Sequence, residues 1–320
     1  MRFPDLSDTL QSPEKSSTPR SLIFELATGK LAPAPIWKKA DYRLKFLLRT
    51  LIFYRSTRLM LDSLGLRPDF MRLLNAQVTL PSKTHRQYLA RGLSSMQRAE
   101  VIVGHYQFMD SLKSPALAAA LTATDPTRLL SFIGKDEAKF MLYASCAHKA
   151  EREGESTLWF CSEDNTVLAS TTFSIRLDAE GWELIVGGLQ GPRRSVSHEA
   201  IKYATRACHG LFPKRILIEF FGLMAAECGI TRITGVSDNG HVFRALRYRF
   251  SKGRHFHASY DEFWASIEGV KISKYRWQLP LQQERKSIEE IASKKRAEYR
   301  RRFALLDEMA AQFKALFPQS

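Results

Sequence analysis

Residues 155–189 read ESTLWFCSEDNTVLASTTFSIRLDAEGWELIVGGL, and this stretch decides the fold. Residues 155–160 and 166–175 are rich in β-branched and aromatic side chains and are joined by the turn Glu163-Asp164-Asn165. A third run, residues 182–189, is opened by Ala179-Glu180-Gly181. Short apolar runs separated by polar turns of this kind predict antiparallel hairpins. Working outward, residues 197–208 predict a helix. Pro213 starts another that runs to Cys228 and stops at Gly229. Residues 230–236 (ITRITGV) are a strand entered directly from that helix, Asn239-Gly240 is a turn, residues 241–249 a short helix, and residues 253–257 a last strand. The order β-β-β-α-α-β-α-β predicts an α/β (α+β) fold, a mixed, mainly antiparallel sheet flanked by helices.

Upstream, residues 1–36 carry much Ser, Pro and Thr and read as a loose tail. Residues 37–63 read as one helix, with Phe46, Leu48, Ile52 and Leu59 at roughly helical spacing. Seven Lys or Arg and a single acid fall between positions 38 and 58, which makes the segment basic and amphipathic. Residues 64–125 read as mainly helical, and the texture changes near residue 150. A long charged helix is expected from 284 to about 317, with eight bases and four acids in ERKSIEEIASKKRAEYRRR. The expected division is a tail at 1–36, a helical region at 37–150, an α/β domain at 151–283 and a basic C-terminal helix at 284–320.

The chain has 320 residues, 44% hydrophobic and 25% charged, enough for a sizeable core and unlike a collagen, a disordered chain or a disulfide scaffold. Its 48 Lys plus Arg against 33 Asp plus Glu give +15, a balance that points to an anionic partner. The polar N-terminus has no signal-peptide core, and no apolar run is long enough to span a bilayer. A cytoplasmic protein is expected, with peripheral contact at the inner membrane as its extension. Cys146, Cys161, Cys208 and Cys228 form no CxxC pair and read as free thiols.

Five separated motifs carry a resemblance. They are IVGGLQGP at 185–192, HGLFPK at 209–214, VSDNGHV at 236–242, YDEFW at 260–264 and SKKRAEYRRR at 293–302. In this order they resemble the bacterial VirK/YbjX family over residues 40–315. The resemblance implies a link to virulence, surface-protein maturation and resistance to cationic peptides. The run from Gly229 through Ile233, Asn239, Ala245 and Tyr248 to Gly253 also resembles the late half of a GNAT-type acyltransferase. That resemblance implies a GNAT-like sheet and casts Tyr248 as the proton donor to a leaving thiolate. The pyrophosphate loop of that fold should follow the strand ending at Leu189. Here the corresponding residues, QGPRRSVS at 190–197, hold one Gly and an intruding Pro.

Residues 190–197 are nonetheless the best anion site. They end a strand and open a helix that Ser195 or Ser197 can cap, and Arg193 and Arg194 add charge and bidentate geometry. Gly187 and Gly188 permit a bulge or the close approach of a ligand. Gly187, Gly188, Gln190, Gly191, Arg193 and Arg194 are therefore the expected cofactor-binding set, with the cofactor itself unknown. The expected catalytic set is Tyr248, Glu219, Asn239 and His241. Glu219 sits among Ile218, Phe220 and Phe221, where a carboxylate must be paired or shifted, and an ion pair with Lys214, Arg215 or Arg232 is the plainer reading. Asn239 and His241 follow a sheet strand, where open α/β sheets place ligands. His209 ends a helix and reads as structural. His255 and His257 share a strand face but lack further ligands, so no metal is expected.

Three functions compete. The first is a GNAT-like acyl or aminoacyl transferase acting directly on an amine or hydroxyl, with an oxyanion donor among the backbone N–H groups of residues 187–189. The second is a non-enzymatic basic factor that binds an anionic membrane or partner and assists surface-protein maturation. The third is a nucleic-acid binder using the basic C-terminal helix. The expected ligand is acyl-CoA-like, aminoacyl-tRNA-like or an anionic lipid.

Overall fold

The computed structural model describes residues 19–147, 149–244 and 259–318. Six helices come first: α1 (Pro19–Thr28), α2 (Ala40–Ile52), α3 (Tyr54–Gly65), α4 (Phe70–Ala76), α5 (Ser95–Ser111) and α6 (Pro115–Thr122). Strands β1 (Thr127–Ile133), β2 (Lys139–Cys146), β3 (Ser156–Ser162), β4 (Val167–Asp178) and β5 (Gly181–Gln190) follow. Helices α7 (His198–Ala207) and α8 (Pro213–Cys228) lead to β6 (Ile230–Val236). Then come α9 (Tyr260–Ser266), β7 (Val270–Lys271), β8 (Arg276–Leu279) and α10 (Arg296–Lys314). The sheet runs β1-β2-β3-β4-β5-β6-β8-β7. Its β5/β6 pair is parallel and the others are antiparallel, so the mixed, mainly antiparallel sheet with a helical N-terminal region and a long C-terminal helix is as expected.

The sheet is buried on both faces where β5 runs. Leu184 and Val186 join one core, under α8 and α10, with Phe173 against Phe221 and Phe220 against Phe313. Ile185 joins the second core, built by the N-terminal helices around Trp37, Phe46 and Leu61. Burial on both faces explains the unbroken apolar run in β5. Helix α8 starts with Pro213 at its first turn and stops at Gly229, whose φ of 70° is the left-handed conformation that ends helices.

Four boundaries differ from the sequence reading. Residues 19–28, expected within a loose tail, form α1, whose Leu22 and Leu26 are buried in the second core. The sheet begins at Thr127, before the texture change at 150. Leu130 and Phe132 of β1, and Phe140, Leu142 and Ala144 of β2, alternate into the core. The predicted helix over 37–63 is two helices that meet at Phe53. At Phe53 the backbone leaves the helical region (φ −107°, ψ 32°), with Tyr42, Phe46 and Thr50 buried before it and Thr57, Met60, Leu61 and Leu64 buried after it. The C-terminal helix starts at Arg296, since Glu290 folds back to accept the Ser287 N–H and Ile291 is buried. The strand expected at 253–257, with His255 and His257, lies outside the described residues.

A fully buried polar network joins the helical region to the sheet. The Glu155 carboxylate accepts from Lys83 (2.6 Å), Tyr88 (2.7 Å), Tyr106 (2.9 Å) and Gln77 (3.0 Å). Lys83 also bonds Gln77, and Tyr88 meets Ser174 of β4. Burial and the neighbouring Glu155 charge push the hydroxyls of Tyr88 and Tyr106 well above their usual range, so both stay donors.

His105 sits beside this network on α5. Its Nδ1 accepts the Ile175 N–H (3.3 Å), and its Nε2 meets Ser156 Oγ (3.0 Å), which itself donates to Leu121 O. These partners fix a neutral ring with the proton on Nε2. Burial lowers His105 from 6.5 to about 4, and burial with Arg49 and Arg86 nearby does the same to His85. The unfolded chain therefore takes up these protons before the folded protein does, and stability falls as pH drops from 6.5 toward 4. For His105 the loss is on the order of 3 kcal/mol at the acid end. Melting temperatures measured across this window should fall for the parent protein. His105→Gln should start lower and show a shallower decline.

Candidate functional site

Strands β5 and β6 pair from Trp182↔Ile230 to Val186↔Gly235 and then part. Beyond that point β5 continues to Gln190 against β4 alone. Gly187 is the extra residue of a bulge, because Thr172 faces Gly188 while Phe173 faces Val186. The two missing side chains admit a segment of the chain itself. A Cβ at Gly187 would overlap the Glu153 carbonyl, and one at Gly188 the Glu153 carboxylate. The close approach anticipated at this Gly pair is thus made by the turn between β2 and β3.

Glu153 is buried and accepts from Gln190 Nε2 at 3.0 Å. Its Oε1 lies 3.3 Å from His241 Nε2. His241 Nδ1 accepts the Phe243 N–H (3.3 Å), and the ring stacks on Tyr260 at 5.5 Å. The gap between the parted strands is filled from α9: Tyr260 Oη accepts the Leu189 N–H (3.2 Å), and Trp264 Nε1 donates to Val236 O (2.8 Å). Burial raises the Tyr260 hydroxyl, which stays protonated. The Leu189 N–H, one of the expected oxyanion donors, is therefore already engaged by this chain.

Beside the parting lies a cleft of about 1220 Å³. Its floor is the polar face of β3 and β4, where Thr157 pairs with Thr172 and Trp159 with Ser170. One wall is Gln190, Gly191, Arg193 and the start of α7, whose Ser197 Oγ accepts the Ala200 N–H (3.1 Å). Arg86, Lys149 and Arg152 line the other side. The lining acids Glu151 and Glu153 are bonded within the chain, to Thr79 and Gln190. Four cations, a capped helix start and the half-buried ring of Trp159 make a cleft suited to an anion with an attached ring.

The structure gathers Gly187, Gly188, Gln190, Gly191 and Arg193 at this place, with His241 joined through Glu153. Arg194 is exposed and does not line the cleft. Asn239 is exposed on its turn, and its carbonyl accepts from Arg91 (3.1 Å). Glu219 is paired with Arg215 one turn away (2.8 Å), the plainer of its two readings, and does not line the cleft. Tyr248 lies outside the described residues. His209 has a φ of 53° and passes its carbonyl to Arg302 (2.8 Å), which is a structural role. All four cysteines are free, and burial pushes Cys161 up to about 11 and Cys208 and Cys228 up to about 12. Among the described residues no group of three His, Cys, Asp or Glu is placed to hold a metal.

Sequence reasoning missed Glu153, Tyr260 and Trp159. In the charged run Glu151-Arg152-Glu153-Gly154-Glu155, two carboxylates are buried. The motifs at 185–192, 236–242 and 260–264 carried the signal for Tyr260: their chains meet where β5 and β6 part. Asp261 accepts from the Asp238 N–H (3.0 Å) and Trp277 (2.9 Å), while Asp238 accepts the Tyr260 N–H (2.8 Å). The motifs at 209–214 and 293–302 meet separately, through His209 and Arg302.

The fold is an eight-stranded mixed sheet flanked by helices, with a cation-lined cleft at the carboxyl end of its parallel pair. The chain belongs to the VirK/YbjX family: the family described as "Protein of unknown function (DUF535)" matches residues 35–315. It is 37% identical to the uncharacterized protein YbjX of Escherichia coli over 317 residues, covering 99% of this chain and 96% of the relative. An uncharacterized protein of Haemophilus influenzae is 25% identical over 83% of this chain and 86% of its own. The membrane protein LapB of Mannheimia haemolytica is 23% identical over 62% of this chain and 83% of its own. No solved structure matches significantly.

The packing of Glu153 on the glycine pair sets a direct test. Gly187→Ala should destabilise the protein by about 1–3 kcal/mol, because the clash is with backbone and cannot be relieved by a rotamer change. Urea denaturation of the variant against the parent measures the difference.

Proposed function

We propose that the protein is a GNAT-like transferase that moves an acyl or aminoacyl group from a phosphate-bearing donor to an amine or hydroxyl. The observation that carries this reading is the parallel β5/β6 pair that parts after Val186 and Gly235 beside a cation-lined cleft. The β3-β4-β5 antiparallel run, the two helices after it and the return to a parallel strand accord with the resemblance.

In this reading the donor's phosphates lie at the start of α7 against Arg193, where backbone N–H groups and charge-assisted bonds favour them. The acceptor's nitrogen or oxygen attacks the donor carbonyl carbon. The bond from that carbon to the leaving sulfur or oxygen breaks, its electron pair stays on the leaving atom, and the proton that the acceptor loses passes through solvent to that thiolate or alkoxide. The transfer is direct, and the protein's largest contribution is positioning. Tyr260 and Trp264 fill the gap between the strands, so the donor lies over Thr157, Trp159, Ser170 and Thr172 rather than between β5 and β6. Both nitrogens of His241 face partners within the chain, so it orients Glu153 and Gln190 and is a positioning residue.

The test is a titration of the full chain with coenzyme A and, separately, with a tRNA acceptor-stem mimic. One of the two should bind. Replacing Arg193 and Arg194 together by Ala should weaken it at least ~10-fold, the loss expected of charge-assisted contacts. Stability should change by no more than about 0.5 kcal/mol, since both side chains are exposed. Binding of neither probe, or unchanged affinity in the double variant, overturns the reading.

A further inference from the structure

Helix α2 carries two apolar stripes. Tyr42, Phe46 and Thr50 are buried and fix it to the body, through Tyr42 on Ser82 and Phe46 edge-on to Trp37. On the opposite face Leu44, Leu47, Leu48, Leu51 and Ile52 recur at i, i+3, i+4, i+7 and i+8. All five are exposed, from 38% at Leu47 to 75% at Ile52. Helical spacing in the sequence groups Leu48 and Ile52 with Phe46, whereas the structure buries Phe46 and turns the other two outward. Apolar residues exposed singly are ordinary; five forming one face of one helix mark a contact surface.

The chemistry around this stripe is cationic. Lys38, Lys39 and Lys45 are exposed at its margin, Arg55 and Arg58 follow at the start of α3, and the acid of α2, Asp41, is spent on Lys45 (2.9 Å). A smaller pocket of about 370 Å³ opens beside α2, lined by Lys45, Arg49, Arg86 and Arg152. The last two also line the main cleft. An apolar face rimmed by lysines fits neither bulk water nor a second copy of this chain, whose own lysines and +15 charge would oppose it.

We propose that α2 docks the protein on an anionic membrane surface. The leucine stripe enters the boundary between headgroups and acyl chains, and the lysines meet lipid phosphates. The contact is peripheral: α2 has 13 residues and lies along the surface. The proposal stands on α2 alone and holds whether or not the cleft transfers acyl groups.

Co-sedimentation with vesicles tests it. The full chain should bind vesicles of phosphatidylcholine mixed with phosphatidylglycerol and bind pure phosphatidylcholine far more weakly. Raising the salt should weaken binding. Leu48→Asp with Leu51→Asp should lower partitioning by roughly 100-fold or more, with the melting temperature unchanged because both side chains are already exposed. Lys38→Gln with Lys39→Gln should lower it by roughly fivefold per lysine. No binding to the anionic vesicles overturns the proposal. So does unchanged binding of the leucine variant, or a dimer that the leucine variant dissociates.

Discussion

Two carboxylates two residues apart, Glu153 and Glu155, are both buried in the turn that leads into β3. Glu155 faces the N-terminal helices and gathers Lys83, Gln77, Tyr88 and Tyr106. Glu153 faces the end of β5 and meets Gln190 and His241. A buried carboxylate is tolerated only when its oxygens are fully engaged, and removing one partner of such a group typically costs about 3–5 kcal/mol. Nearly every feature of the cleft region depends on that turn being held in place. Gly154 lies between the two acids against the backbone of Phe173, next to the bulge that Gly187 creates. The helical region and the sheet are in this sense one unit, fastened through a polar knot as well as through their cores.

The sheet places this turn beside a second constraint. Where β5 and β6 part, the chain fills the gap with Tyr260 and Trp264 and leaves the polar face of β3 and β4 uncovered. A second polar cluster braces the other end of the same pair. Burial alone would raise Glu183, yet Arg276 and Arg176 beside it and the Thr234 hydroxyl hold it below the usual carboxylate range. That cluster ties β4, β5, β6 and β8 together at the closed end, through Arg176 (2.7 Å) and Arg276 (2.9 Å). One end of the parallel pair is clamped by paired charges, and at the other the strands part around Tyr260 and Trp264.

Much of this was legible in the sequence. The hairpins of β3, β4 and β5, the helix from Pro213 to Gly229 and the strand that follows all carry local signals: alternation, a proline at the first turn and a left-handed glycine at the end. β1 and β2 were hidden because they directly follow a long helical stretch with no change of composition between them. The split of the first basic helix was hidden because the buried positions before and after Phe53 keep one helical spacing, so the apolar pattern does not mark the break. Glu153 and Tyr260 were hidden for a different reason. Composition marks a charged run as solvated, and only the tertiary approach of Gly187 and Gly188 shows that a carboxylate is packed there. The Arg193 side of the cleft was readable because a strand end, a capping serine and adjacent arginines are neighbours in sequence. The Arg86, Lys149 and Arg152 side assembles from distant segments.

The claim that one turn fastens both the helical region and the cleft is tested most directly by hydrogen exchange on Glu155→Gln. The account predicts that protection falls together in residues 77–90, which hold Gln77, Lys83 and Tyr88, and in residues 183–190 of β5, which the Glu153 side of the turn supports. Loss confined to residues 77–90, with β5 as protected as in the parent, would contradict it.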